Sequence, residues 1–545
     1  MNKFFVLCSI IMLSAYNVAA QQLNLPLNRD IYQEYDGYLN RLEVTNFHSS
    51  VKPYKMSDIY KSIKVDTLDI CYSSFKANDD FSWFHRKVGY EHLIAIDSAD
   101  YQLHIDPLFD LQVGKDTKDT TRLLHVNTRG VLFEGNLGKN VSFGATYLET
   151  QAVFPAYIAA FVNDSNNKIV PGQGRVKDFT GLGRGFDFGV ATGYISYKAS
   201  KYFAFTFGTD RNFIGEGYRS LFLSDNAFPY PFLKITTNVW KFQYTNIYAA
   251  LLDLRNSPIA QQAEATNQYF SRKYMTTHYL SYNISKRVNI GLFESIIFAD
   301  TVNHGGFRVD YLNPIIFYRP VEYSLGSPNN ALLGGALNIK VTDNIKFYSQ
   351  VILDEFVLNE VKAFSHGWSG NKQGLQVGVK GGNLFGIAKL RAQYEFNWVR
   401  PYTYSHEFHL QNYAHYNQSL ADPLGANFFE NIAMVNYRSG RWFVEAKFNF
   451  AVYGADSAGI NYGGNIFQSY TDPSVRTYGN NTAQGVFNTL MYKEFRVSYL
   501  VNPSFNLNIE AGISSRSLVS DAKSSMTNWI YFGIRTSLSN HVYDF

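Results

Sequence analysis

The sequence predicts an all-β protein: a transmembrane antiparallel β-barrel of about 18 strands, preceded by a small helical N-terminal element. Three observations predict it. Many runs alternate apolar and polar residues with a period of two. Short polar turns alternate with long irregular connections. The chain carries 44 Phe and 40 Tyr, yet its mean hydropathy is negative and no run beyond the leader reaches the roughly 18 apolar residues of a spanning helix. A barrel reconciles these features, because only every second residue faces lipid and aromatic girdles mark both interfaces.

Residues 1–20 read as a signal peptide. Lys3 supplies the positive region, Phe4 to Leu13 the apolar core, and Val18-Ala19-Ala20 a cleavage site before Gln21. Loss of Lys3 takes the net charge from +4 to +3, which argues against a nucleic-acid partner. Leu7 precedes Cys8 where a lipid-anchored cysteine wants a small residue, so no anchor is predicted. Cys71 then stands alone, cannot form an intramolecular disulfide, and reads as a spectator thiol. Residues 21–100 form a separate N-terminal segment. Asp30–Val44 and Ser57–Val65 have helical spacing, with Ser57 as a candidate N-cap. This segment sits under the barrel or plugs it from below.

The barrel occupies residues 101–545. Tight turns are predicted at Asn136–Asn140, Ala199–Lys201, Thr237–Asn238, Ile284–Arg287, Val341–Asn344, Gly381–Gly386, Arg438–Arg441 and Val501–Ser504. The connections between them are long: Gln151–Arg184, Arg211–Phe232, Thr301–Ala331, Arg400–Glu430 and Ala455–Asn488. Short turns belong to the periplasmic side and long loops to the outside. A barrel with n/2 − 1 periplasmic turns then has about 18 strands, the first starting near Tyr101. In Arg441–Tyr453, Trp442, Val444, Ala446, Phe448 and Phe450 alternate with Arg441, Phe443, Glu445, Lys447 and Asn449. Ile387–Trp398 alternates in the same way, with Lys389, Arg391, Gln393, Glu395 and Asn397 on one face. A cation at the bilayer midplane costs about 2–4 kcal/mol, so the charged faces line the lumen, where mixed signs favour ion pairs. Val288–Ala299 is less clean, because Glu294 sits among apolar neighbours. The closing strand reads as Asn528 to Phe545, with Ile530, Phe532, Ile534 and Leu538 on the lipid face.

Three segments at outer strand ends or in outer loops carry candidate chemistry. The first, Phe207–Leu221, offers Asp210, Arg211, Glu216, Tyr218 and Arg219. The second, Tyr311–Glu322 with Gly326–Asn330, offers Tyr318, Arg319, Glu322, Asn329 and Asn330. Aromatic faces stack on sugar rings, while Asp, Asn and Arg hydrogen-bond sugar hydroxyls and carboxylates. These residues are candidates for polysaccharide binding. The competing reading is that their charges pin long loops over the lumen. Gly215 and Gly217 flank Glu216 without the Lys-Ser/Thr of a phosphate loop. The third segment, Gln350–Phe356, holds Asp354 and Glu355. Strand neighbours point to opposite faces, so this pair does not flank one bond and reads as lumen structure. His406 and His409 lack a third ligand and read as solvated loop histidines. A phospholipase would need a Ser/His pair on adjacent strands at the lipid face, and none is found. No catalytic residue, cofactor site or metal site is predicted.

These segments resemble capsule-assembly outer-membrane proteins of the Wzi type. The resemblance covers residues 185–400 and rests on the loop from Arg211 to Leu223-Ser224, Asn313-Pro314 followed by Tyr318-Arg319, and Asp354-Glu355 at a strand end. Along most of the mature chain the sequence is also similar to the RemB-type gliding-motility outer-membrane proteins of Bacteroidota. That similarity includes Asn46-Phe47-His48-Ser49-Ser50-Val51-Lys52-Pro53-Tyr54, Asn397-Trp398-Val399-Arg400-Pro401-Tyr402 and Tyr462-Gly463-Gly464-Asn465-Ile466-Phe467. The first resemblance implies an 18-stranded barrel with a helical plug that holds capsular polysaccharide. The second implies a part in surface gliding, through polysaccharide or adhesion.

The resulting expectation is an integral barrel of the cell outer membrane that is not an enzyme. It binds or organises surface polysaccharide and supports gliding motility, surface adhesion or capsule attachment. Its partners are outer-membrane lipid, cell-surface polysaccharide and, through the gliding resemblance, adhesins or secretion-system components. A porin or transporter for small solutes is the alternative.

Overall fold

The computed structural model describes residues 22–64, 70, 72, 75–164, 168–181, 183–255, 270–299, 309–317, 329–355, 357–362, 366–521 and 524–545. The predicted signal peptide, Cys71, Tyr318, Arg319 and Glu322 lie outside the described residues.

Eighteen antiparallel strands close into one barrel. They are β1 (Tyr101–Asp116), β2 (Leu124–Leu137), β3 (Val141–Val153), β4 (Gly183–Lys198), β5 (Phe203–Asp210) and β6 (Tyr230–Val239). Next come β7 (Phe242–Asp253), β8 (Ser271–Asn283), β9 (Val288–Phe298), β10 (Asn330–Lys340), β11 (Ile345–Leu353) and β12 (Gln373–Gly381). The wall ends with β13 (Leu390–Val399), β14 (Phe428–Ser439), β15 (Trp442–Ala455), β16 (Val486–Asn502), β17 (Leu507–Ser520) and β18 (Ser524–Thr536). Each strand pairs with its neighbour in the chain. β18 closes on β1 from Trp529↔Asp116 to Arg535↔Asp110. All eight predicted turns join adjacent strands at one rim, and β1 starts at Tyr101 as read. One turn is displaced: it falls at Trp240–Lys241, three residues on from the predicted Thr237–Asn238, which lie within β6.

The period-two pattern sorts as expected. On β18, Ile530, Phe532 and Ile534 are 47%, 55% and 40% exposed, whereas Trp529 and Tyr531 are buried. On β15, Trp442 and Phe448 face out, and Phe443, Glu445 and Asn449 are buried inside. A closed wall of paired strands with an apolar belt outside is stable in lipid, so this is an outer-membrane barrel.

The closing strand departs from the reading. It stops at Thr536, and residues 537–545 turn back up the lumen. Asn506 Nδ2 donates to Ser537 O (2.5 Å), and Asn28 Nδ2 donates to Ser537 Oγ (2.8 Å). Leu538 therefore leaves the lipid face and packs against Leu108, Leu132 and Phe505. The polar run Ser537, Ser539, Asn540 and His541 has no place in lipid, which gives the reason.

Residues 22–63 pack inside the turn-bearing end. Helix α1 (Arg29–Leu39) starts at Asn28, whose side chain accepts from Ile31 N, and stops five residues short of the predicted Val44. Lys340 Nζ ends it by donating to the carbonyls of Leu39 (3.1 Å), Arg41 (3.1 Å) and Val44 (2.8 Å). Helix α2 (Met56–Ser62) has Lys55, not Ser57, at its N-cap position. Ser57 instead accepts from Gln22 Nε2 (2.9 Å). Helix α3 (Trp83–Gly89) is capped by Ser82 and sits at the same rim.

Candidate functional site

Residues 211–229 leave the short strand β5 and drop into the lumen. There Phe222 stacks on Phe293 at 4.5 Å, and Leu221, Phe222 and Leu223 join Tyr404, Tyr413, Leu420 and Ile466 in one buried apolar cluster with the wall. The outer half of the lumen is thus packed like the interior of a soluble protein.

A belt of ion pairs lies beneath this cluster. Arg219 is 1% exposed and meets Glu430 at 2.9 Å and Asp544 at 3.1 Å. Lys447 bridges Glu494 (2.9 Å) and Asp544 (3.4 Å), and Tyr218 donates its hydroxyl to Asp544 (2.5 Å). The backbone N–H groups of Tyr218 and Arg219 donate to Glu395 at 2.7 and 3.0 Å. Gly217 permits this approach, since a Cβ there would fall on the Glu395 carboxylate. Burial alone would lower the Arg219 pKa, but Asp544, Glu430 and Asp422 hold it above its ordinary value. Burial alone would raise Asp544, but Arg219 and Lys447 hold it below the usual carboxylate range. Burial and the charge of Glu430 push Asp422 well above that range.

Glu216 closes a second cluster, with Lys346 at 2.8 Å, Lys380 at 3.1 Å and the Ser49 hydroxyl. Burial would raise it, but Lys346 and Lys380 bring it below its ordinary value. Helix α1 feeds both clusters from below. Asp30 pairs with Arg496 (2.9 Å), Glu34 with Arg391 (2.8 Å) and Arg438 (3.0 Å), and Asp36 with Lys380 (2.9 Å). Arg29 lies 3.7 Å over the Tyr218 ring.

The structure therefore gathers Glu216, Tyr218 and Arg219 in the lumen, with their polar groups held by the chain itself. Arg211 donates Nε to Ala227 O (2.9 Å), and Asp210 accepts from Arg211 N (2.8 Å). Asn329 and Asn330 stand apart at the outer rim and bind Gln411, at 3.2 and 3.0 Å. The rest of the second segment that the structure describes, residues 311–317, lies with residues 309–310 outside the wall against β7–β9. Tyr311 stacks on Phe298 at 4.1 Å, Tyr244 and Tyr248 donate to Pro314 O (2.5 Å) and Leu312 O (3.1 Å), and Phe317 N donates to Glu294 (2.7 Å). This accounts for Glu294: it faces outward in a row with His278 and Asn246, and the loop covers it.

In the third segment, Asp354 accepts from Tyr404 N (2.7 Å), whereas Glu355 meets Lys372 (3.3 Å) and Tyr470 (3.0 Å). His406 corrects the solvated reading: it is buried near Phe408 and Tyr470, and burial lowers its pKa to about 4. His409 is exposed.

At the outer end of the lumen opens a cavity of about 560 Å³, lined by Phe161, Arg255, His409, Gln418, Phe467 and Phe545 among others. Arg255 is held by Asp253 (2.5 Å) and lies 4.5 Å over the Phe467 ring. Two lining amide atoms, Gln418 Nε2 and Asn226 Oδ1, are buried without a hydrogen-bond partner. Sequence reasoning missed this vestibule because its walls come from segments as far apart as Phe161 and Phe545. It also missed Asp544, which was read as part of a lipid-spanning strand. The polar run before it was the available signal.

No protein-family model matches the chain, and no curated protein is significantly similar to it. Among solved structures, the barrel is similar to Wzi of Escherichia coli, described as a carbohydrate-binding β-barrel involved in group 1 capsule assembly. That match is 14% identical, covers 95% of this chain and all of the other, and has a TM-score of 0.57. OccAB2 of Acinetobacter baumannii matches with 10% identity over 81% of this chain and 97% of its own, at a TM-score of 0.40. OprD of Pseudomonas aeruginosa matches with 9% identity over 83% and 96%, at 0.40. The first likeness shows a shared fold.

Proposed function

We propose that this barrel holds surface polysaccharide in its outer vestibule, above a lumen closed to solutes, and so supports capsule attachment or, in a gliding cell, movement and surface adhesion. The observation that carries the reading is the vestibule itself. It offers the aromatic faces of Phe161, Phe467 and Phe545, the fixed cation of Arg255, and an unpartnered amide donor and acceptor in Gln418 and Asn226. Sugars take this mixture of stacking faces and hydrogen-bond groups. The fold shared with a carbohydrate-binding barrel supports it. Gliding, and partnership with adhesins or secretion components, rests on the sequence resemblance.

In this reading the N-terminal segment plugs the lumen through residues 22–63. The buried residues Arg211, Glu216, Tyr218 and Arg219 serve the site from beneath by holding its floor. Tyr318, Arg319, Glu322, Asn329 and Asn330 are candidates for the rim on residue type. Binding without turnover fits Asp354 and Glu355, each engaged by different partners.

The test pairs a cell assay with a purified one. In a strain lacking the gene, polysaccharide bound to cells and shed to the medium is measured, with movement on glass recorded in the same culture. Shedding with production intact supports retention, and retained polysaccharide with lost movement supports the gliding role. The purified barrel should bind that strain's polysaccharide, lose at least tenfold affinity in Gln418→Ala with Asn226→Ala, and show no open-channel conductance. Porin-like conductance in the intact protein overturns the reading.

A further inference from the structure

The turn-bearing rim carries a second constellation, remote from the vestibule. His92, His104 and Glu134 bring one side-chain ligand atom each to within 4.8 Å of one another. We propose that these three residues form a binding site for a divalent transition-metal cation of the zinc type.

The arrangement is built from both sides. His104 on β1 and Glu134 on β2 are directly opposed cross-strand partners on the lumen face. His92 arrives from the segment after α3 and is fixed there by Leu93 N, which donates to Asp106 Oδ1 (2.8 Å). The two imidazoles stack with centroids 4.0 Å apart and planes 13° apart, so one ring must turn out of the stack to bring both in-plane nitrogen lone pairs onto one cation.

Each ring is also oriented from behind by a carboxylate. Asp106 Oδ2 lies 2.5 Å from His92 Nδ1, and Asp97 Oδ1 lies 3.3 Å from His104 Nε2. This leaves His92 Nε2 and His104 Nδ1 available. A carboxylate on the far nitrogen is the usual device for fixing the tautomer and orientation of a metal-binding histidine.

His104 Nδ1 is buried without a hydrogen-bond partner and faces the Glu134 carboxylate at 3.8 Å. A shared cation with metal–ligand bonds of about 2.1 Å would bring such a nitrogen and oxygen to about 3.3 Å, a small closure for two side chains. Two imidazoles and one carboxylate suit zinc and its neighbours rather than magnesium or calcium, which take oxygen sets. Three protein ligands leave a fourth position for water. The bound cation would clip the segment carrying α3 to the barrel wall.

The experiment uses the full mature chain folded in detergent, stripped with chelator, given Zn²⁺, desalted and assayed for metal content, with Co²⁺ absorption reporting the ligand set. The wild type should retain about one equivalent. His104→Ala and Glu134→Gln should each lose at least tenfold in affinity. Asp97→Asn, a half-exposed change that spares the fold, should lose about tenfold through misorientation of His104. His406→Ala, in the outer loops, should change nothing. A wild type that retains no metal overturns the proposal, as does retention by Glu134→Gln equal to the wild type's. Glu134→Gln keeps the shape of the side chain, so the test stands even if His104→Ala fails to fold.

Discussion

Residues 211–229 and 309–317 look alike in sequence, since both lie between strands and both mix aromatic and polar residues. They end on opposite sides of the wall. The first enters the lumen, where Phe222 stacks on Phe293 and Arg219 joins the ion-pair belt. The second lies outside, where Phe317 N caps Glu294. The wall makes the difference. On β9 the odd residue Phe293 points in, so the even residue Glu294 must point out. An uncovered carboxylate on that side would be costly, and the loop answers the cost with its backbone while Val309, Ile315 and Phe317 remain exposed as apolar cover.

The largest expected effect tests the inward loop. Arg219→Ala leaves Glu430 buried without its cation and Asp544 with Lys447 as its remaining ion-pair partner, which costs about 3–5 kcal/mol. We expect residues 537–545 to leave the lumen and become protease-sensitive while the barrel stays folded. A tail that remains protected would show that the belt does not hold it.

Acid acts on the inward loops through their buried histidines. His406 and His415 lie in the 400–427 loop, and burial lowers them to about 4 and about 3. Each uses Nδ1 as an acceptor, from Phe408 N (3.2 Å) and Leu252 N (3.0 Å). The released loop takes up protons more readily than the docked one. Docking is therefore strongest above about pH 6.5, weakens as pH falls, and has lost about 2 kcal/mol per histidine at pH 5. Asp544 and Glu216 are depressed carboxylates, and their contribution persists until pH drops below the ordinary carboxylate value. Limited proteolysis should cut the 400–427 loop faster at pH 5 than at pH 7, and the tail with it, because burial and Arg535 hold the tail's His541 well below the ordinary histidine value. Equal protection of the loop at pH 5 and pH 7 would show that its histidines do not set its docking.

The outward loop gives a smaller effect. Glu294→Leu removes the acceptor for Phe317 N but also removes a carboxylate from the lipid side. We expect a loss of about 1–2 kcal/mol in loop docking, read as faster hydrogen exchange over 309–317, with no change in barrel stability. If the barrel itself loses stability, Glu294 belongs to the wall rather than to the loop.

The wall was legible because its rule is local. Turn residues and period two located every hairpin and set the inward face of β15 from residues a few positions apart. The lumen was not legible in the same way. Asp544 meets Arg219 across more than 300 residues, and nothing near either one names the other. The closing strand shows where the local rule failed: Leu538 continues the alternation, but the polar neighbours Ser537, Ser539 and Asn540 end the strand. His104 and Glu134 were hidden for a related reason, since cross-strand partners become visible only once register is known.

The smallest effect bears on the helix that meets the belt from below. Lys340 donates to three carbonyls at the end of α1, where the helix dipole leaves partial negative charge. Lys340→Met keeps the apolar stem and removes the three bonds. The helix still holds Arg496, Arg438 and Lys380 through Asp30, Glu34 and Asp36, so the loss should stay near 1 kcal/mol. Hydrogen exchange should quicken over residues 38–44 alone and leave both 211–229 and 309–317 unchanged. Faster exchange at 211–229 would mean that the plug end of the helix, and not only its acidic face, sets the position of the inward loop.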